Sequence, residues 1–176
     1  MSDQIEVIEF DENWFLKFDK EKSILENILG SLILQIEHIG STAIQGLAAK
    51  PIIDIMIGVE SLEKANECIP YLEKLGYEYI PEHENELPNR RFFRKPPRGS
   101  TKRDFHIHIV VLGSSFWRKQ LFFRDYLRSN INARIDYGNL KKELAIKYHD
   151  NRYEYTNAKT EFILNILSQA NDKFED

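Results

Sequence analysis

The stretch Glu37–Met56, EHIGSTAIQGLAAKPIIDIM, holds the end of one strand and the start of another. The second strand, Pro51–Val59 (PIIDIMIGV), is a nearly continuous apolar run holding one charge, Asp54. Such a run, rich in isoleucine and without polar alternation, describes a central strand covered on both faces. Upstream, Leu32–Ile39 (LILQIEHI) is also β-like and closes at Gly40-Ser41-Thr42. Too many residues separate the two strands for a tight hairpin, so the connection is expected to contain a short helical turn. An ionised carboxylate inside an apolar strand is costly unless a metal, a cation or hydrogen-bond donors compensate it. Asp54 therefore reads either as a ligand- or metal-facing group or as a buried acceptor for loop N–H groups.

Outward from this pair, the pattern on the N-terminal side is helical. Asp11 can cap a stripe of Trp14, Phe15, Phe18, Ile24, Leu25, Ile28 and Leu29 that stops at Gly30. On the C-terminal side Ser61 can cap a second stripe of Leu62, Ala65, Ile69, Leu72 and Leu75, ended by Gly76. Pro70 falls inside it and predicts a kink or two short segments. Tyr77–Ile80, Arg91–Arg94 and Asp104–Leu112 read as strands, and Lys95–Lys102 (KPPRGSTK) as a basic, turn-rich loop. Beyond Gly113 the chain turns helical in three segments, 115–129, 137–150 and 156–170. The order predicts an α+β fold over 1–176 as a single domain: a mixed β-sheet flanked by helices, with a helical C-terminal region. In the central strand Ile52, Ile53, Ile55 and Ile57 are expected to be almost fully buried.

Composition narrows the partners. With 24 Lys and Arg against 28 Asp and Glu, the net charge is −4, which argues against nucleic acid. The lone Cys68 supports neither a disulfide framework nor a cysteine metal site, and reads as a small buried side chain. No basic leader precedes an apolar run, and no window approaches 18 uncharged apolar residues, so a cytoplasmic protein without a membrane partner is expected.

Several side chains are candidates for chemistry. The Gly40-Ser41-Thr42 turn suits phosphate oxygens if its N–H groups are unpaired. Strand alternation puts Asp104, His106 and His108 on one face. Two imidazoles at i, i+2 could ligate a transition metal with Asp54, contact phosphate or act as acid and base. If their strand neighbours the one that holds Asp54, they stand within about 8 Å of it, roughly two strand spacings. Lys50, Arg91 and Arg94 are candidate phosphate or carboxylate binders, with the basic loop Lys95–Arg103 able to close over an anion. Only one of Glu37 and His38 can face the cleft, and the other is assigned to solvent. Phe116, Trp117, Phe122, Phe123 and Tyr126 read as core packing, and Lys141 and Lys159 as surface charges.

The segment EHIGSTAIQGLAAKPIIDI resembles the signature of the GrpB family. So do Arg90–Lys95 (RRFFRK), His106–Val110 (HIHIV), Tyr137–Ala145 and Tyr155-x-x-x-Lys159-x-x-Phe162-Ile163. The resemblance covers nearly the whole chain. It implies a nucleotidyltransferase-like fold in which Gly-Ser ends the first strand and carboxylates on following strands bind Mg²⁺. Asp54 and Asp104 are the candidate metal ligands. A similar domain is found fused to some dephospho-CoA kinases. Polymerase-type enzymes of this fold carry a D-h-[DE] pair, whereas this chain reads Asp54-Ile55-Met56, so the usual two-metal site is not expected.

Three functions stay open. One is a nucleotide- or phosphometabolite-binding enzyme, such as a nucleotidyltransferase. Asp54, His106 and His108 would be catalytic, and Gly40, Ser41, Thr42, Lys50, Arg91 and Arg94 would hold the substrate. Another is a non-catalytic binding or chaperone-like module that has lost its metal carboxylates. The third is a hydrolase or transferase with a histidine-liganded metal. On the first reading, Asp54→Asn weakens ligand or metal binding and leaves the fold intact.

Overall fold

A computed structural model of the chain describes residues 5–96, 104–170 and 174. Its elements run α1 (Asn13–Leu29), β1 (Gln35–Ile39), β2 (Ile53–Val59), α2 (Leu62–Lys74), β3 (Glu78–Tyr79), β4 (Arg90–Lys95) and β5 (Phe105–Val111). Four helices follow: α3 (Ser115–Ser129), α4 (Ile131–Lys147), α5 (Arg152–Asn157) and α6 (Thr160–Ser168). The strands form one mixed sheet in the order β1-β2-β5-β4-β3. β2 pairs β5 in parallel, and the other neighbours are antiparallel. The apolar run of β2 thus sits inside the sheet, and the loop before it contains a 3₁₀ turn at Ser41–Ala43.

Alternation along the strands divides the sheet into two unlike faces. Ile53, Ile55 and Ile57 of β2, Ile107 and Ile109 of β5 and Phe93 of β4 point to one side. They pack there against Trp14, Phe18, Leu25 and Leu29 of α1 and Ala65, Cys68 and Leu72 of α2. The Cys68 Sγ donates to the Lys64 carbonyl at 3.3 Å, and burial pushes its thiol up to about 11. On the other side α3 lays Trp117 over Ile39, Met56 and Val110. Gly58 permits that approach: a Cβ there would stand 2.7 Å from Leu112 Cδ1 and 2.9 Å from Trp117 Cζ3. The C-terminal helices gather around Ile44 and Leu47 of the β1–β2 connection, through Leu127, Tyr137 and Ile166.

Several local expectations change. Ile52 is half-buried, because it precedes β2 and lines a cavity instead of entering the core. α2 passes through Pro70 as one helix, since its stripe of Ala65, Cys68 and Leu72 stays buried on both sides of the proline. Among the described residues the C-terminal region has four helices and not three. Asn130 starts α4 by accepting from Ala133 N, and Asn151 starts α5 by accepting from Glu154 N, both at 3.1 Å. The basic loop falls largely on residues 97–103, outside the described residues; at its start, Lys95 Nζ is held 3.0 Å from Glu21 Oε1. Among the described residues no helix is long and apolar enough to cross a membrane.

Candidate functional site

β2 and β5 run side by side, so Asp54 stands opposite His106 on the α3 side of the sheet. His106 Nδ1 lies 3.2 Å from Asp54 Oδ1, and His108 Nε2 lies 3.6 Å from the same oxygen. The spacing expected from neighbouring strands is therefore met. A carboxylate can only accept, so His106 carries a proton on Nδ1, which in the neutral ring leaves Nε2 as the lone-pair nitrogen. His108 has the opposite tautomer. Its Nδ1 is 3.2 Å from Arg90 Nη1, and a guanidinium only donates, which leaves the His108 proton on Nε2, on the Asp54 side. Burial lowers the His108 pKa and outweighs the pull of Asp54, which favours the neutral ring. Burial pushes the Asp54 carboxyl upward, but hydrogen bonds from the two imidazoles, and their charge when they are protonated, outweigh it and hold it well below the usual carboxylate range.

Gly40 backs this carboxylate. Its φ is +70°, and a Cβ there would stand 2.6 Å from Asp54 Oδ2. The Gly-Ser turn thus brings backbone against the carboxylate in a conformation open to glycine. Thr42 latches the turn to β2: its Oγ1 donates to Ile52 O at 3.2 Å and accepts from His38 Nε2 at 3.0 Å. His38 is not on a solvent face. It is 5% exposed, stacked 4.5 Å from Phe18, and burial pushes its pKa down to about 4. Glu37 takes the opposite face, where Arg124 of α3 binds its carboxylate at 2.6 Å and donates to His38 O at 3.0 Å.

A cavity of about 320 Å³ opens beside Asp54 and His106. Ser41, Thr42, Ala49, Lys50 and Ile52 form one wall, and Lys141, Arg152, Tyr155, Thr156 and Lys159 come from the C-terminal helices. Four basic side chains therefore share this space with one carboxylate. Lys50 Nζ and Lys159 Nζ stand 4.5 Å and 4.4 Å from the centre of the Tyr155 ring. Lys141 is 2% exposed and donates to Ala48 O. Burial, aided by Lys159 and Lys50, pushes its ammonium down to about 6. Lys159 is pushed down to about 8 by burial, with Asp54 opposing and Arg152 adding to the shift.

Of the residues singled out from sequence, Ser41, Thr42, Lys50, Asp54 and His106 line the cavity. Arg91 does not reach it. It points to the α2 side, where Asn66, Pro88 O and Glu84 hold its guanidinium. Arg94 shares the face of His106, but pairs across to Glu78 at 2.8 Å and does not line the cavity. Lys141 and Lys159 belong to the cavity wall and not to the open surface; Arg152 and Thr156 were not singled out at all, and Tyr155 only within the family-like element. For Lys141, Tyr155 and Lys159 the visible signal was their place in two segments that resemble the family pattern, Tyr137–Ala145 and the element starting at Tyr155.

Mg²⁺ demands hard oxygen donors in near-octahedral array. Asp54 is the one carboxylate on the cavity wall among the described residues, and fully buried Met56 fills the next position on its face. Glu37, opposite Met56, is committed to Arg124, and Asp104 lies before β5 and off the cavity wall. No group of three or more His, Cys, Asp or Glu among the described residues could hold a metal ion. This donor set does not fit Mg²⁺.

Residues 4–169 match the family model described as GrpB protein. The chain belongs to the GrpB family. It is 39% identical to the glutamate-rich protein GrpB of Alkalihalophilus pseudofirmus, over 94% of this chain and 95% of that protein. It is also 39% identical to the UPF0157 protein YqkA of Bacillus subtilis, where 91% of this GrpB-family chain spans 45% of the longer relative. A dephospho-CoA kinase of Mycobacterium leprae matches 91% of the chain at 28% identity, over 45% of its own length. The crystal structure of GrpB from Enterococcus faecalis superposes with a TM-score of 0.84 at 39% identity, over 94% of this chain and 96% of that one. The Cid1 poly(U) polymerase bound to MgATP gives a TM-score of 0.51 at 12% identity, over 72% of this chain and 41% of that one. That likeness shows a shared nucleotidyltransferase-like fold.

Proposed function

We propose that this GrpB-family protein binds a small phosphate-bearing ligand, a nucleotide or phosphometabolite, in the cavity beside Asp54. Asp54 and His106 would act there as a proton-transfer pair. The observation that carries this reading is a cavity wall bearing four basic side chains, Lys50, Lys141, Arg152 and Lys159, beside one carboxylate, in a chain whose net charge is −4. Lysine and guanidinium side chains are suited to phosphate oxygens. The cavity volume lies at the lower end of the range for small-molecule sites, about 300–1,000 Å³. The fold shared with Cid1, a protein captured with MgATP, supports a nucleotide among such ligands.

In this arrangement Asp54 fixes the Nδ1–H tautomer of His106, so Nε2 is the atom that takes or returns a proton. Arg90 acts one step further out, by locking the His108 tautomer against the same carboxylate. Titration calorimetry with inorganic pyrophosphate and a set of nucleotides tests the binding. Lys159→Gln is expected to weaken it at least tenfold, about 1.4 kcal/mol, as the loss of a charge-assisted hydrogen bond would. Failure of every phosphate compound to bind would sink the reading. The second reading, a binding module without turnover, is favoured by Met56 in the second carboxylate position. Phosphorus NMR of a bound nucleotide after long incubation separates the two, since unchanged ligand supports the module.

A further inference from the structure

A second cavity, of about 270 Å³, lies toward the far end of β5 from Asp54 and shares no wall residue with the first. The segment before β4 and the start of α3 enclose it. Leu87, Pro88 and Phe116 give it apolar surface, and Arg90, Ser115 and Lys119 give it polar groups. Arg90 is half-buried, opposite Val110 in the sheet, and its bonding is incomplete. Its Cζ lies 5.2 Å from the centre of the Phe92 ring and 5.7 Å from that of Phe116, within cation–π range of both. Among the described residues its one hydrogen bond runs from Nη1 to His108 Nδ1, an uncharged acceptor. Nε is enclosed without a partner, whereas Nη2 is neither hydrogen-bonded nor enclosed. Glu86 acts on the guanidinium only through space, and burial lowers its pKa. A guanidinium that has given up hydration without meeting an anion is in an unfavourable position. Two aromatic rings offset part of that cost, and the planar fork remains matched to an oxyanion.

We infer that this second cavity binds a small organic oxyanion, a carboxylate or a phosphate monoester, through Arg90, with the apolar part of the ligand against Leu87, Pro88 and Phe116. Nη2 is the donor left for the first oxygen. The bond to His108 uses Nη1 alone, so an anion on Nη2 leaves it in place. Lys119 stands exposed on the cavity wall, 6.0 Å from the centre of the Phe174 ring, and can turn its ammonium to a second oxygen. The site is independent of the phosphate reading of the first cavity.

Benzoate, phenyl phosphate and uncharged benzamide are the probes, each titrated into the full ¹⁵N-labelled chain and followed by NMR. Benzoate or phenyl phosphate is expected to give saturable shifts at the Phe116 and Lys119 amides and at Arg90 Nε–H. The tighter of the two identifies the headgroup class. Benzamide is expected to bind about tenfold more weakly, as loss of a charge-assisted hydrogen bond predicts. Arg90→Gln, checked for folding by circular dichroism, is expected to loosen the tighter probe about tenfold for the same reason. Lys119→Gln, a change at an exposed position of α3, is expected to loosen it about twofold, as loss of an exposed ion pair does. Lys22→Gln on α1 is expected to change nothing. Shifts confined to Ser41 and Lys159 would put both anions in the first cavity and overturn the inference, as would no shift at all or equal binding of benzamide. Undiminished binding in folded Arg90→Gln would overturn it too. If that variant does not fold, undiminished binding in Lys119→Gln has the same force. The pyrophosphate titration tests the first cavity separately, so either reading can fail without the other.

Discussion

The two faces of the sheet are built from alternate residues of the same strands, yet they have unlike chemistry. On the α1–α2 face, Ile53, Ile55, Ile57, Ile107 and Ile109 are almost without exposure, and the one polar residue of β1 there, His38, is sealed between Phe18 and Thr42. On the α3 face the neighbouring positions are Glu37, Asp54, His106, His108, Arg90 and Arg94, each with a polar partner across the sheet or from a helix. The difference teaches a division of labour. One face supplies the burial that holds the strands together, and that rigidity positions charged groups on the other within about 0.5 Å.

The comparison breaks first if the apolar face proves unimportant. Ile53 is 1% exposed, and Ile53→Ala is expected to cost about 2–5 kcal/mol through transfer and cavity terms. Urea denaturation measures it, and a loss below roughly 1 kcal/mol would mean that this strand is not central.

A smaller effect comes from the polar residue on that face. The folded His38 pKa, about 4, lies below its ordinary value of 6.5, so the unfolded chain takes up a proton first. Stability is therefore fully present above pH 6.5 and is lost as pH falls toward 4. The depression corresponds to an upper bound of about 3 kcal/mol at 1.36 kcal/mol per unit. Denaturation midpoints followed across that window are expected to fall, and His38→Gln, which keeps a donor for Thr42, is expected to flatten the slope. A slope unchanged by the substitution would assign the acid sensitivity to other groups.

The smallest effect has the opposite sign and belongs to the cavity. Burial depresses the Lys141 pKa from 10.5 to about 6, so the unfolded state binds more protons between those values and stability rises with pH through that window. At pH 7 the buried lysine costs stability. Lys141→Met is expected to raise ligand-free stability by about 1 kcal/mol, because it removes a side chain that must give up its proton and its hydration on folding. Thermal melts without ligand provide the check. A marked loss of stability would show that the bond to Ala48 O, and not the anion site, is what Lys141 serves.

Much of the architecture was legible because its signals are local. An isoleucine run bounded by turn residues fixes β2, and the period of two in Asp104–His108 already joins His106 and His108 on one face. Gly40 beside Asp54 was equally visible as a motif, although its physical cause was not. Only the fold shows that a Cβ would strike Oδ2. The arginines misled for the same reason that alternation helps. Arg91 and Arg94 are three apart on a strand, so they must face opposite sides, and neither enters the cavity.

What the sequence determined by itself is the strand pair around Gly40–Lys50 and the shared face of His106 and His108, which follow from side-chain period and short-range turn chemistry. The Asp54–His106 juxtaposition was expected only from the fold that the family resemblance implies. Tertiary structure alone decided the tautomers of His106 and His108, the burial of His38 and the cationic wall. Lys141 meets Ala48 across 93 residues of chain, and Lys159 meets Lys50 over a shared tyrosine ring. No local pattern encodes such meetings. They arise when α4 and α5 pack over the β1–β2 connection, and that packing buries the lysines and turns apparent surface charges into the walls of a site.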